Sequence, residues 1–92
     1  MPYVTQERRK FFAPELDQLT IGAYDWKAGD LNYLITKLVL AYLAGDARDK
    51  RPPNYERYNS AVGVLECAKL EVYRQWVAPY EDGKRTINGG IE

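Results

Sequence analysis

One segment of the chain, Asp30 to Ala44, has apolar side chains around nearly the whole circumference of the helix that its spacing predicts. A helix of this kind is normally buried on every side. A chain of 92 residues has little other material with which to cover two faces, so we expect a homo-oligomer, a dimer or higher. The first face comprises Leu31, Leu34, Ile35, Leu38, Ala41 and Tyr42, and the opposite face comprises Tyr33, Val39, Leu40 and Leu43.

The N-terminal segment is predicted to form a short, broken helix. Thr5 is suited to cap a first helical turn, and Pro14 is suited to the first position of a second segment that ends near Ala23. Gly45 is a natural terminator for the helix that starts at Asp30, whose carboxylate favours the positive end of that helix.

The second half of the chain is predicted to contain one long helix, antiparallel to the helix before it. Residues 46–53 form a charged connector with two consecutive prolines, and Asn54 can cap a helix that continues until Pro79 kinks or ends it. The tail from 81 to 90 is expected to be weakly helical at most and to fray. No period-2 alternation indicates a strand, so residues 1–92 are predicted to be a single all-α domain.

Composition argues against several classes of function. The chain has 13 Lys and Arg against 13 Asp and Glu, so bulk electrostatics do not favour duplex nucleic acid or an anionic membrane surface. It has no His, one Cys (Cys67) and one Ser (Ser60), which argues against catalytic triads and Cys/His zinc sites. The sequence shows neither a signal-peptide pattern nor a membrane-spanning run. We therefore expect a non-enzymatic cytoplasmic protein without a cofactor.

Lys69 interrupts the apolar sector of the last helix, and Glu66 lies three residues before it, close enough for an ion pair. One interpretation is a structural lysine whose stem packs while its ammonium reaches water. A second is a cation held in a cleft, beside Tyr58 or Tyr73, for an anionic ligand. A third is a buried ion pair with Asp30 or another carboxylate. We predict that Lys69 is largely shielded and that Glu66 and Tyr73 share its site.

A second set of polar residues is predicted to meet at the start of the last helix. Arg57, which is followed by an aromatic residue and an amide, lies where free backbone N–H groups favour anions. Polar groups on the middle helix need partners once they are buried, so we expect them near Arg57, within one chain or across the oligomer interface. The ligand-binding residues of this set are Asn32, Thr36, Arg57, Tyr58 and Asn59.

Five blocks of sequence are distinctive in combination. They are Gly-Asp-Leu-Asn-Tyr at 29–33, Arg-Tyr-Asn at 57–59, Val-Leu-Glu-Cys-Ala-Lys-Leu-Glu at 64–71, Tyr-Arg at 73–74 and Val-Ala-Pro-Tyr-Glu-Asp at 77–82. With the Met-Pro-Tyr start, they resemble a family of small phage-encoded proteins of unknown function. The resemblance covers nearly the whole chain and implies a phage or prophage accessory protein acting in bacterial cytoplasm. The ending Asn88-Gly89-Gly90 departs from the acidic residue expected after Asn-Gly.

Two functions of different classes fit these features. The first is a helical oligomer that sequesters a small anionic ligand, such as a nucleotide signal of bacterial immunity, by stacking bases on rings and binding phosphates with Lys and Arg. A more distant likeness, in size and helical character, to phage proteins that sponge cyclic nucleotides supports it by analogy. The second is a protein-interaction factor that binds and inhibits a host protein through the same residues. A small enzyme is the least favoured alternative.

Overall fold

The computed structural model describes residues 2–45 and 53–92, and every regular element in these ranges is helical, which confirms the all-α prediction. The elements are α1 (Gln6–Thr20), a 3-10 turn (Ala23–Asp25), α2 (Ala28–Ala44), α3 (Tyr55–Val72), a π-helical turn (Tyr73–Val77) and α4 (Ala78–Asn88). Residues 46–52 of the predicted connector lie outside the described residues.

Contacts within the chain define two compact units, Pro2–Ala61 and Val62–Glu92. The first unit contains α1 and α2, the second contains α4, and α3 contributes to both. No helix in the described ranges is both long enough and apolar enough to cross a membrane. The single domain over 1–92, the antiparallel pair of helices and the homo-oligomer stay predictions.

α1 is one continuous helix, so the prediction of a broken N-terminal helix is wrong. Thr5 caps it as predicted, because its side-chain oxygen accepts a hydrogen bond from the Arg8 N–H at 3.2 Å. Pro14 lies inside the helix and not at the start of a second segment. Proline removes the N–H that would bind the Lys10 carbonyl, but both residues are exposed, so water can satisfy that carbonyl while the flanking turns continue.

α2 ends at the predicted residue, Ala44, and begins two residues before the predicted start, at Ala28. In its first turn the Asp30 carboxylate accepts a hydrogen bond from the Lys27 N–H at 2.9 Å, and it also complements the positive end of the helix. Gly45 terminates the helix with a φ of 65°, and its N–H donates to the Tyr42 carbonyl at 3.3 Å. This left-handed conformation is strained for residues that carry a Cβ.

Gly45→Ala is therefore expected to lower the free energy of unfolding by about 1 kcal/mol. Gly63→Ala is the matched control, because Gly63 lies inside α3 and an added Cβ would meet nothing within 4 Å. It should raise the free energy of unfolding by about 0.5–1 kcal/mol through its better helix propensity. Chemical denaturation followed by circular dichroism measures both variants. If both variants changed the free energy of unfolding in the same direction, that would contradict a left-handed Gly45 and a helical Gly63.

The segment after Pro79 is helical, so the prediction of a frayed, weakly helical tail is wrong. Pro79 lies in the first turn of α4, directly after a π-helical turn that is continuous with α3. Its ring cannot donate to the Gln75 carbonyl and crowds it. The turn before it is correspondingly π-helical, with the Ala78 N–H donating to the Tyr73 carbonyl five residues back.

Little apolar surface is buried within the described chain. Ala61, 5% exposed, is the only buried residue in the described ranges, and large apolar side chains are exposed on all four helices. Around α2 both predicted faces are partly exposed. On the first face only Leu34 is half-buried. On the opposite face Val39 and Leu43 are half-buried, while Tyr33 and Leu40 are exposed.

Candidate ligand-binding site

The first turn of α3 positions Arg57. Asn54 caps this helix as predicted, since its side-chain oxygen accepts a hydrogen bond from the Arg57 N–H at 2.9 Å. The backbone carbonyl oxygen of Asn54 accepts a second hydrogen bond, from the Tyr58 N–H at 3.2 Å. With the helix start held in this way, Arg57, Tyr58 and Asn59 leave the axis in successive directions about 100° apart.

The Arg57 side chain joins the start of α3 to the end of α2. Its Nε and Nη2 atoms donate to the Tyr42 carbonyl oxygen at 3.0 and 2.7 Å, and its guanidinium carbon lies 3.8 Å from the centre of the Tyr42 ring. Carbonyl oxygens at a helix C-terminus carry partial negative charge, which stabilises a cation there. The result is a half-buried guanidinium held against an aromatic face.

Arg57 keeps donors for a further partner in this arrangement. A guanidinium has five N–H donors, and the bonds to Tyr42 use one on Nε and one on Nη2. Among the described residues the other three have no acceptor, and they can bind an anion such as phosphate or carboxylate. Because the side chain is already fixed at two points, binding an anion costs less side-chain entropy than it would for a free surface arginine.

Asn32 and Thr36 lie in the first half of α2 and satisfy each other locally. The Thr36 hydroxyl donates to the Asn32 carbonyl oxygen at 2.8 Å and lies 3.3 Å from the Asn32 side-chain oxygen. Both residues are exposed. At a rise of about 1.5 Å per residue, Asn32 is about 15 Å and Thr36 about 9 Å along the axis from Tyr42. Within one chain, the structure does not bring this pair to the Arg57 guanidinium.

Lys69 and Glu66 form the predicted ion pair, with 3.1 Å between Nζ and Oε1. The Lys69 side chain is 69% exposed, so the expectation of a shielded lysine is wrong for the described chain. Leu65, one turn before Lys69 in the same sector of α3, is itself 40% exposed. Tyr73, at the start of the π-turn, is exposed as well.

Two cation–aromatic clusters were not predicted. On α1, the Arg8 guanidinium carbon lies 4.5 and 4.7 Å from the ring centres of Phe11 and Phe12, and those rings meet edge to face at 5.1 Å. On α4, the Lys84 ammonium lies 5.7 Å from the centre of the Tyr80 ring. The signal in the sequence is a cation three or four residues from an aromatic residue, which places both on one side of a helix.

A groove of about 510 Å³ is lined by Tyr73 of the π-turn, by α4 and by the residues that follow α4. Its lining includes the cations Lys84 and Arg85 and the carboxylates Glu81, Asp82 and Glu92. Arg85 already pairs with Glu92, with 3.3 Å between Nη2 and Oε1. Because carboxylates outnumber cations there, this groove does not favour an anionic ligand.

The described residues contain no group of three His, Cys, Asp or Glu side chains placed to hold a metal ion. The chain is thus an all-helical protein whose best-defined polar feature is a cation fixed between the end of one helix and the start of the next. It belongs to the DUF6899 family, because it matches the model of this domain of unknown function over residues 1–91. Comparison with curated proteins and with solved structures returns no match.

Proposed function

We propose that the protein is a non-enzymatic binding module that acts as a helical homo-oligomer and sequesters a small anionic ligand, such as a nucleotide signal of bacterial immunity. The proposal rests on the Arg57 guanidinium, held by the Tyr42 carbonyl and stacked on the Tyr42 ring. A cation fixed in this way is prepared for a phosphate. The exposed ring of Tyr58, the next residue, offers a surface on which a base can stack.

The exposed apolar surface of α2 supports the oligomeric part of the proposal, because contiguous apolar surface on a helix marks an interaction site. We propose that α2 and α3 run antiparallel within one chain and that a second copy covers part of α2. Asn32 and Thr36 then contribute to the site from the second chain, since they lie far from Arg57 in their own.

The resemblance to small phage-encoded proteins supports an accessory, anti-defence role for a phage or prophage in the host cytoplasm. A ligand-sequestering protein needs no catalytic group, which agrees with a chain that lacks His and has a single Cys and a single Ser. The further predicted ligand contacts stay predictions. They are Tyr58, Asn59, Glu66, Lys69 and Tyr73.

Thermal denaturation with a panel of ligands tests the proposal. The panel contains linear and cyclic nucleotides, inorganic phosphate and uncharged nucleosides. We expect at least one nucleotide to stabilise the protein, by about 2.7 kcal/mol at one hundred times its dissociation constant. Arg57→Lys should weaken that effect, because an ammonium cannot reproduce a planar two-point donor.

Arg9→Lys is the matched control, because the Arg9 Nε also donates to a backbone carbonyl, that of Val4 at 2.9 Å, but at a separate place on the chain. It should leave the nucleotide effect unchanged. A panel in which no nucleotide or phosphate raises the denaturation temperature contradicts the proposed ligand class. A nucleotide effect that is equal in Arg57→Lys and wild type shows that the ligand binds elsewhere.

The cluster on α1 favours a second candidate, a factor that binds and inhibits a host protein. Phe11 and Phe12 are exposed, lie beside Arg8, and combine the residue types that dominate protein interfaces. In this case Phe11→Ser combined with Phe12→Ser should abolish inhibition of the host target while Arg57→Lys leaves it intact. The opposite pattern favours ligand sequestration.

A further inference from the structure

Four large apolar side chains form a continuous exposed stripe along α2. Leu31, Ile35, Leu38 and Tyr42 are 50%, 40%, 64% and 41% exposed. Their spacing of four, three and four residues places them within about 60° of one another around the helix. These four residues make up the α2 stripe.

The spacing of the α2 stripe is that of a coiled-coil seam. In a heptad repeat the apolar a and d positions alternate at intervals of three and four residues, and each side chain fits between residues of the facing helix. The positions beside the stripe, Asn32, Leu34, Val39 and Ala41, carry no charge. A facing helix must therefore present an apolar seam of similar length.

We infer that the α2 stripe pairs with the same stripe of a second copy of the chain, with the two helices antiparallel. This inference rests on the proposed homo-oligomer and assigns its interface. The spacing of the stripe is the same in both directions, so Leu31 lies opposite the partner's Tyr42 while Ile35 lies opposite the partner's Leu38. Each contact then occurs twice, as a twofold interface requires.

Arg57 favours the antiparallel orientation over the parallel one. Its guanidinium lies 3.8 Å from the Tyr42 ring centre, at one end of the stripe. A parallel pair would bring both Tyr42 rings, and with them two guanidinium charges, to the same level. In the antiparallel pair the two Tyr42 residues are about 16 Å apart along the axis, beyond the screening length at physiological salt.

The same register completes the proposed ligand site. The partner's Asn32 lies at the level of Ala41, one residue from Tyr42 and at the end of the stripe where Arg57 is fixed. Each dimer then has two equivalent sites, one at either end of the paired helices. This brings Asn32, which a single chain keeps about 15 Å from Tyr42, to the level of the Arg57 guanidinium.

Leu38→Glu tests the interface, and Leu40→Glu is its matched control. Both residues are leucines of α2, 64% and 53% exposed, and they point about 160° apart around the helix. We expect light scattering and sedimentation to show a wild-type dimer, and Leu38→Glu to raise the dimer dissociation constant at least about 100-fold by burying a carboxylate in the seam. Leu40→Glu should leave it within about threefold. Circular dichroism establishes that both variants keep their helices.

Cysteine pairing tests the orientation independently, in a Cys67→Ser background that removes the native thiol. A disulfide requires Cα atoms closer than about 7 Å. Leu31→Cys mixed with Tyr42→Cys should therefore cross-link under mild oxidation, whereas Leu31→Cys alone should not. Cross-linking of Leu31→Cys to itself would overturn the antiparallel register.

The outcomes separate this inference from the proposed function. If the wild-type protein is an oligomer that Leu38→Glu does not dissociate but Leu40→Glu does, the α2 stripe is not the interface. The proposed homo-oligomer would still be supported. A monomeric wild type at micromolar concentration overturns both the interface and the oligomeric part of the proposed function. Nucleotide binding by that monomer would still support the ligand class.

Discussion

Ala61→Asp is expected to lower the free energy of unfolding by about 3 kcal/mol, the largest stability loss among the proposed variants. Ala61 is 5% exposed, and no other residue in the described ranges is buried. An aspartate there would place a carboxylate out of water without a partner, in addition to the lower helix propensity of Asp.

Ala68→Asp provides the comparison, because Ala68 lies seven residues further along α3, on the same side of the helix, and is exposed. Its cost should be below about 1 kcal/mol, close to the propensity difference alone. Urea denaturation at one protein concentration measures both, since the stability of an oligomer depends on concentration. Equal losses for the two variants would show that Ala61 is not a packing position.

Arg57→Ala should give the second large loss, about 2–3 kcal/mol of unfolding free energy. It removes two charge-assisted hydrogen bonds to the Tyr42 carbonyl and the contact of the cation with the Tyr42 ring. Arg57→Lys should lose about half as much, because it keeps the charge near the negative end of α2 but not the two-point geometry.

Arg9→Ala is the control for this pair, since Arg9 makes one exposed hydrogen bond to the Val4 carbonyl at 2.9 Å. Its loss should stay below about 1 kcal/mol. Denaturation curves for the three variants should therefore rank them as Arg57→Ala, Arg57→Lys and Arg9→Ala in decreasing order of destabilisation. Any ranking with Arg9→Ala first would mean that the contact between α2 and α3 at Arg57 adds little to stability.

The helix starts and stops that depend on local chemistry could be predicted from the sequence. The caps at Thr5 and Asn54, the first-turn carboxylate of Asp30 and the terminator Gly45 all act over three or four residues, and all four are confirmed. The two errors of secondary structure are the break predicted at Pro14 and the frayed tail predicted from residue 81.

The sequence predicts that Pro14 starts a second segment and that Pro79 kinks or ends the last helix. Pro14 lies inside the continuous helix α1, whereas the regular α-helix is interrupted by a π-turn directly before Pro79. The loss of one hydrogen bond is a local term, whereas the continuation of a helix is cooperative over several turns. Inspection of a proline alone therefore cannot decide between a break, a tolerated defect and a new start.

In the candidate site too, the contacts between residues close in sequence could be predicted, and those between distant residues could not. The ion pair of Lys69 with Glu66 follows from a three-residue spacing and is confirmed. The contact of Arg57 with Tyr42 joins residues fifteen positions apart, and no periodicity within one helix indicates it. Burial of Lys69 depends on the surface that covers α3, which the pattern of α3 does not contain, and that expectation is wrong.

The π-helical turn at Tyr73–Val77 changes the direction in which side chains face around the helix, so the residues before it and after it form two separate surfaces. A turn closed by bonds from residue i to i+5 holds one residue more than an α-turn, so α4 is rotated by about 100° relative to an uninterrupted helix. Tyr73 and Tyr80, seven residues apart across this turn, therefore do not share the face that this spacing would give them in a regular helix. A partner that binds along the apolar side of α3 cannot continue along the same side of α4. Substitutions on α4 therefore need not change the surface of α3.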